Sequence, residues 1–309
     1  MKNAFTLAGT LLFVVSTSIG CITGKDRPRD GGTLEDLPVG PTWPLATRAA
    51  NRRFILGTGF DNAMKSTLAF GAIAVCKNFD GAGQAAIAIA IPNAPDTFNS
   101  QTVGAAGQVF VLVGPVYGTP APSAPQDRPL GDGIDHALRV YGGTPSDHIG
   151  DALACGDLDG DGAEDLLIGA PEAADGRGEV YVFFGRNRAT DKDISLAKDR
   201  AKVDIILQGA RIGDHLGASV AVLRGVVADA PERGTIVMGS PGFDGLAGAA
   251  MDRGAVFLHL IPTPRLTPGQ TVLVNPDKLK EQRLAAILGD HDGEGLGTTL
   301  ATGRLSTNA

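Results

Sequence analysis

Residues 148–185 decide the fold: His148-Ile149-Gly150, then Asp157-Leu158-Asp159-Gly160-Asp161-Gly162-Ala163-Glu164-Asp165, then Leu166-Leu167-Ile168-Gly169-Ala170-Pro171, then Gly178-Glu179-Val180-Tyr181-Val182-Phe183-Phe184-Gly185. The run after Asp165 is short, apolar and ended by proline, and reads as a buried strand. Oxygens of Asp157, Asp159, Asp161 and Asp165, with the Ala163 carbonyl between them, would surround one hard cation. Calcium fits best, because it accepts several carboxylate and carbonyl oxygens in a flexible shell. Gly160 and Gly162 let so short a loop curl, since glycine reaches positive φ without steric cost. Without a cation, carboxylates packed this closely repel one another, and some take up protons. An EF-hand loop starts the same way but needs a bidentate Glu at its twelfth position and helices on both sides. Here that position is Ile168. A merely solvated acidic turn is the alternative, against which stand the alternating aspartates and spaced glycines.

The outline recurs. Ile149 to Cys155 aligns with Phe70 to Cys76 upstream, and with Leu216 to Val222 and Leu296 to Thr302 downstream. After the loop, Ile87 to Pro92 and Ile236 to Pro241 match Leu166 to Pro171, and Gly107 to Leu112 and Gly254 to His259 match Gly178 to Phe183. Leu138 to Gly142, Ile205 to Gly209 and Ala285 to Gly289 precede the later units. Each unit therefore holds four short strands separated by Gly, Pro and Asp turns.

Phe70-Gly71 and Gly169-Ala170-Pro171 resemble the two ends of the FG-GAP motif, and the units are similar to blades of the integrin α-chain propeller and its bacterial relatives. The resemblance covers roughly residues 52–309 and implies an all-β fold: a β-propeller of four-stranded blades, with calcium in a loop between two strands of a blade. The implied ligands are Asp157, Asp159, Asp161, Ala163 through its backbone, and Asp165. The other loops depart from the pattern. The first unit has Asn78, Asp80, Ala82, Gln84 and Ala86 at these positions, the third begins Arg224, Val226 and Ala228, and the fourth begins Arg304, Ser306 and Asn308. One cation is expected.

Blades are expected at about 65–142, 143–209 and 210–289, with a partial fourth at 290–309. Arg53 to Gly57 resembles the outer strand that precedes each later unit. Three blades and a fragment leave sheet faces open, so self-association or further blades are expected to complete the ring.

Gly 43 with 5% aromatic residues suits many short strands and tight turns. A net charge of −7 offers no basic stripe for nucleic acid. Lys2 and the apolar run Ala4 to Ile19 read as a targeting segment. Ser18-Ile19-Gly20-Cys21 resembles a bacterial lipobox, with serine where leucine is usual, so residues 1–21 are expected to be a lipoprotein signal and Cys21 the lipidated residue of an extracytoplasmic, membrane-anchored protein. An ordinary secretory signal is the alternative. Residues 22–48 read as a flexible linker to the domain at 49–309.

Cys76 and Cys155 occupy equivalent positions in adjacent units. Such positions are expected to lie too far apart for a bridge, so two buried free thiols are the preferred reading and a disulfide is the alternative. The Lys/Asp mixture from Asp191 to Lys202 reads as a solvated loop. No nucleophile constellation is visible. Ser240 lacks a glycine-flanked elbow, and His148 and His215 recur beside Asp147 and Asp214 as turn residues. His136, His259 and His291 have no partner visible in sequence. The expected function is non-enzymatic: a calcium-binding propeller presenting loops to an unknown protein or glycan ligand, adhesion-like by resemblance. An accessory or remnant propeller of a secreted hydrolase is the alternative.

Overall fold

The computed structural model describes residues 4–7, 10–15, 52–56, 70–95, 104–113, 126–130, 136–186, 192–225, 232–245, 252–261, 267–275, 278 and 284–304. Cys21 and the expected linker at 22–48 lie outside the described residues. Strands dominate: β1 (Ala4–Leu7), β2 (Thr10–Val15), β3 (Arg52–Leu56), β4 (Ile73–Cys76), β5 (Ala86–Ile91), β6 (Gln108–Val113), β7 (Gln126–Leu130), β8 (Leu138–Tyr141), β9 (Ala152–Gly156) and β10 (Asp165–Ala170). There follow β11 (Glu179–Phe183), β12 (Asp193–Ser195), β13 (Ile205–Gly209), β14 (Ser219–Arg224), β15 (Gly234–Ser240), β16 (Ala255–His259), β17 (Thr271–Val274), β18 (Leu284–Leu288) and β19 (Thr299–Arg304).

Each repeat unit is one antiparallel meander. The first is β4-β5-β6-β8, the second β9-β10-β11-β13 and the third β14-β15-β16-β18. The fourth unit contributes β19, which pairs with β2 of the hairpin β1-β2. The sheets pack face to face in chain order. One core joins Ala88, Val109 and Val140 of the first sheet to Leu166, Ile168 and Phe183 of the second. The next joins Leu167, Val180 and Leu207 to Ile236, Met238 and Phe257 of the third. A smaller one sets Val237 and Val256 against Leu296 and Leu300. Alternate residues of β10 and β11 thus face opposite neighbours, as the two-residue period of a strand requires, and both faces are apolar because both are covered. This all-β arrangement is consistent with a β-propeller built of FG-GAP blades.

The glycines of the repeat explain the close stacking. Within each hairpin the first glycine donates its N–H to the carbonyl of the last-but-one residue of the strand opposite: Gly71 to Ala90, Gly150 to Gly169 and Gly217 to Gly239, each at 2.9 Å. Between units, a Cβ on Gly169 would run into the Gly217 carbonyl, and one on Gly239 into the Gly297 carbonyl. Gly150, Gly217 and Gly297 themselves sit at φ between +91° and +96°, a region other residues enter only with strain. Both glycines of the motif are therefore required where one sheet's edge backbone meets the next.

Two expectations are corrected. Cys76 and Cys155 form a disulfide with Cα atoms 5.1 Å apart. They are not free thiols, because the first strands β4 and β9 of adjacent sheets converge instead of splaying. The segment 191–202 is not a simple solvated loop. Its β12 pairs in parallel with β8 of the preceding unit, and Arg200 forms an ion pair with the buried Glu179. This addition recurs: β17 pairs in parallel with β13, and β7 with β3. The connections between third and fourth strands of the second and third units thus add a fifth strand beyond the preceding unit's outer strand, while β7 of the first unit pairs with β3 in a two-stranded sheet, where β3 takes the outer-strand role that its likeness to Ile205 to Gly209 suggested. His136, for which the sequence shows no partner, finds one across the fold: its Nε2 lies 3.2 Å from Asp193 Oδ1.

Candidate metal centre

The acidic turn joins β9 to β10, so it lies at one edge of the second sheet. Leu158 anchors it by filling the core between second and third sheets; Phe79, at the equivalent place in the first unit, does the same one interface earlier. Oxygens of Asp157, Asp159 and Asp165 all come within 4.8 Å of one another. Asp157 and Asp165 are buried. Asp161 stands outside this group of three, and its Oδ1 accepts the Ala163 N–H at 2.8 Å. Ala163, nominated for its carbonyl, is itself buried.

Backbone amides hold the carboxylates in place. Asp157 accepts from Gly160 and Gly162 at 2.6 and 3.0 Å, Asp159 from Asp161 at 3.1 Å. Asp165 accepts from Leu158 at 2.7 Å and from Gly185 at 2.8 Å. Each carboxylate oxygen has a second lone pair, so these bonds aim the oxygens without exhausting them. Burial pushes the Asp165 carboxyl up to about 7, against the pull of its two amide donors, and the nearby Asp161 and Asp157 charges add to the rise. A divalent cation would reverse that cost. An all-oxygen donor set on one curled loop fits calcium, and Asp157, Asp159 and Asp165 are the residues that would hold it.

The neighbouring units grip the loop. Glu164 accepts the Lys77 N–H at 2.7 Å and donates its own N–H to the Lys77 carbonyl, while Asn78 Nδ2 donates to the Gly162 carbonyl at 3.2 Å. In the first unit Asn78 accepts from Gly83, as Asp157 does from Gly162, so the same loop shape is kept with an amide in place of a carboxylate. From the other side Gly234 donates to the Asp157 carbonyl at 2.8 Å, and Arg224 Nη2 lies 3.4 Å from Asp157 Oδ2.

At the opposite edge of the sheets lies a cleft of about 400 Å³ lined by Thr144, Asp147, Glu179, Tyr181, Arg200 and Gln208 among others. Glu179 accepts from Arg200, Gln208 and Tyr181, and burial beside that carboxylate raises the Tyr181 hydroxyl well above its ordinary value. Sequence reading missed this network because Arg200 sits in the Lys/Asp-rich stretch. His148 and His215 adopt φ of 53° and 52°, the turn conformation their recurrence suggested. The Ser240 hydroxyl donates to the Asp214 carbonyl at 2.7 Å and is buried.

A family model described as FG-GAP repeat matches residues 150–183, which span β9, the acidic turn, β10 and β11. No curated protein matches the chain. FG-GAP repeats suggest an integrin-like propeller domain, generally one of protein interaction. The chain thus carries one segment, residues 150–183, that matches the FG-GAP repeat, within an all-β fold of the kind such repeats build.

Proposed function

We propose that the chain is a calcium-stabilised, extracytoplasmic propeller, tethered to a membrane through lipidated Cys21, that binds a protein or glycan ligand. The observation that carries this reading is the convergence of Asp157, Asp159 and Asp165 within a loop whose backbone already aims their oxygens. The cation's role is structural: it neutralises buried carboxylates and fixes the β9–β10 turn. The Cys76–Cys155 bridge supports an oxidising compartment, where disulfides persist. The cleft beside Arg200 offers polar groups at the edge away from the cation, so ligand and calcium need not compete. Cleavage before Cys21 removes β1 and β2, so in the tethered form β19 gives up its pairing with β2; a lipid anchor of more than one chain suffices for stable tethering.

Affinity capture from native envelope extract, with and without calcium, tests the binding role. Calcium-dependent recovery of a defined protein or glycan is the expected result, and absence of any specific ligand under both conditions contradicts it. In parallel, Cys21→Ser should release the protein from the membrane fraction; an unlipidated mature N-terminus beyond Cys21 contradicts the tether.

A further inference from the structure

Arg224 holds, in the third unit, the place that Asp157 holds in the second. It cannot be a ligand of its own loop. At the end of β14, however, its guanidinium reaches back to the second unit, Nη2 lying 3.4 Å from Asp157 Oδ2. The two strands meet closely there, since a Cβ added to Gly156 would strike the Val222 side chain. Asp157 is buried, while about half of the Arg224 side chain is exposed.

We propose that Arg224 is a built-in competitor at the candidate cation site, offsetting the Asp157 charge when calcium is absent and opposing calcium when it arrives. This rests on the calcium reading above. Removing Arg224 has two effects of opposite sign: a positive charge is lost, which favours the cation, and a partner that orients Asp157 is lost, which disfavours it. The second is small, because the Gly160 and Gly162 amides hold both Asp157 oxygens independently of Arg224. Charge therefore decides. A divalent and a monovalent cation about 6 Å apart in water repel enough to weaken binding about tenfold. Salt reduces that figure, because the guanidinium is half exposed. The third unit has thus converted a ligand position of its own into a control on its neighbour's site, setting calcium affinity low.

Calcium titrations of the full chain, wild type against Arg224→Gln, Arg224→Met and Arg224→Lys at low ionic strength, test this. Both neutral variants should bind about tenfold more tightly, and the lysine variant should stay near wild type. Without calcium the neutral variants should melt below wild type, and the gap should close on adding calcium. If wild type binds calcium but the neutral variants bind equally or more weakly, the role of Arg224 is overturned while the calcium reading stands. The same holds if the lysine variant binds as tightly as the neutral ones. Calcium binding by the neutral variants alone supports the proposal; no binding by any of the four overturns it together with the calcium reading.

Discussion

Cys76 and Cys155 are joined across two sheets by a disulfide that closes a loop of 79 residues in sequence. The bridge ties β4 to β9 immediately before the two loops that hydrogen-bond to each other through Lys77, Asn78, Gly162 and Glu164. A cross-link over so long a loop restricts the unfolded chain most, and about 2–4 kcal/mol is the usual contribution. Cys155→Ala, or reduction, should lower the urea midpoint accordingly. An unchanged midpoint contradicts a formed bridge.

Gly169 faces the Gly217 carbonyl of the next unit with no room for a side chain. Gly169→Val should destabilise by about 3 kcal/mol or more, since backbone, not a flexible side chain, stands in the way. Gly162, which has open space around it, is the control: Gly162→Ala should cost less, through its positive φ alone. Equal effects at the two sites would contradict the stacking account.

Much of this architecture was legible because the repeat is written in glycine, proline and apolar runs. The strands of the three units fall within a few residues of the matched segments, and the acidic turn lies where its spacing placed it. What was not legible depends on partners distant in sequence. Asp193–Ser195 is too short to announce a strand, and it becomes one only against Leu138–Tyr141. The disulfide was missed because sequence reports equivalence between Cys76 and Cys155 but not how closely first strands approach. Arg224 looked like a lost ligand until the fold placed it beside Asp157.

The high value of the Asp165 carboxyl fixes a pH dependence. In an unfolded chain an aspartate titrates near about 3.9, whereas burial raises Asp165 to about 7. Between those values the calcium-free folded protein binds more protons than the unfolded one, so this group's contribution to stability falls as pH rises through the window. Calcium needs the ionised form, so the calcium-induced rise in melting temperature should be larger at about pH 8 than at about pH 5.5. Asp165→Asn should flatten the calcium-free pH slope, leaving the part due to Asp151 and Asp214, whose carboxyls burial also raises. Melts at both pH values check this, and a larger calcium effect at the lower pH contradicts it.

Ile73 and Val75 are 62% and 61% exposed on the face of β4 whose inner neighbours Ala74 and Cys76 pack toward the second sheet. They continue the apolar face formed by Ile89, Phe110 and Leu112. Exposed apolar area beside a sheet edge favours association. Light scattering should show concentration-dependent self-association that Val75→Lys weakens. A wild type that stays monomeric at all concentrations contradicts this.

The proposed function requires that one loop, Asp157 to Asp165, bind one calcium ion that stabilises the fold. Calorimetric titration with calcium, on wild type and Asp159→Ala, tests it most directly. One site is predicted, with a Kd of about 10⁻⁴–10⁻³ M as in extracellular modules, and with no measurable binding in the variant. No binding in wild type, two or more equal sites, or an Asp159→Ala variant that binds as wild type does would contradict the account.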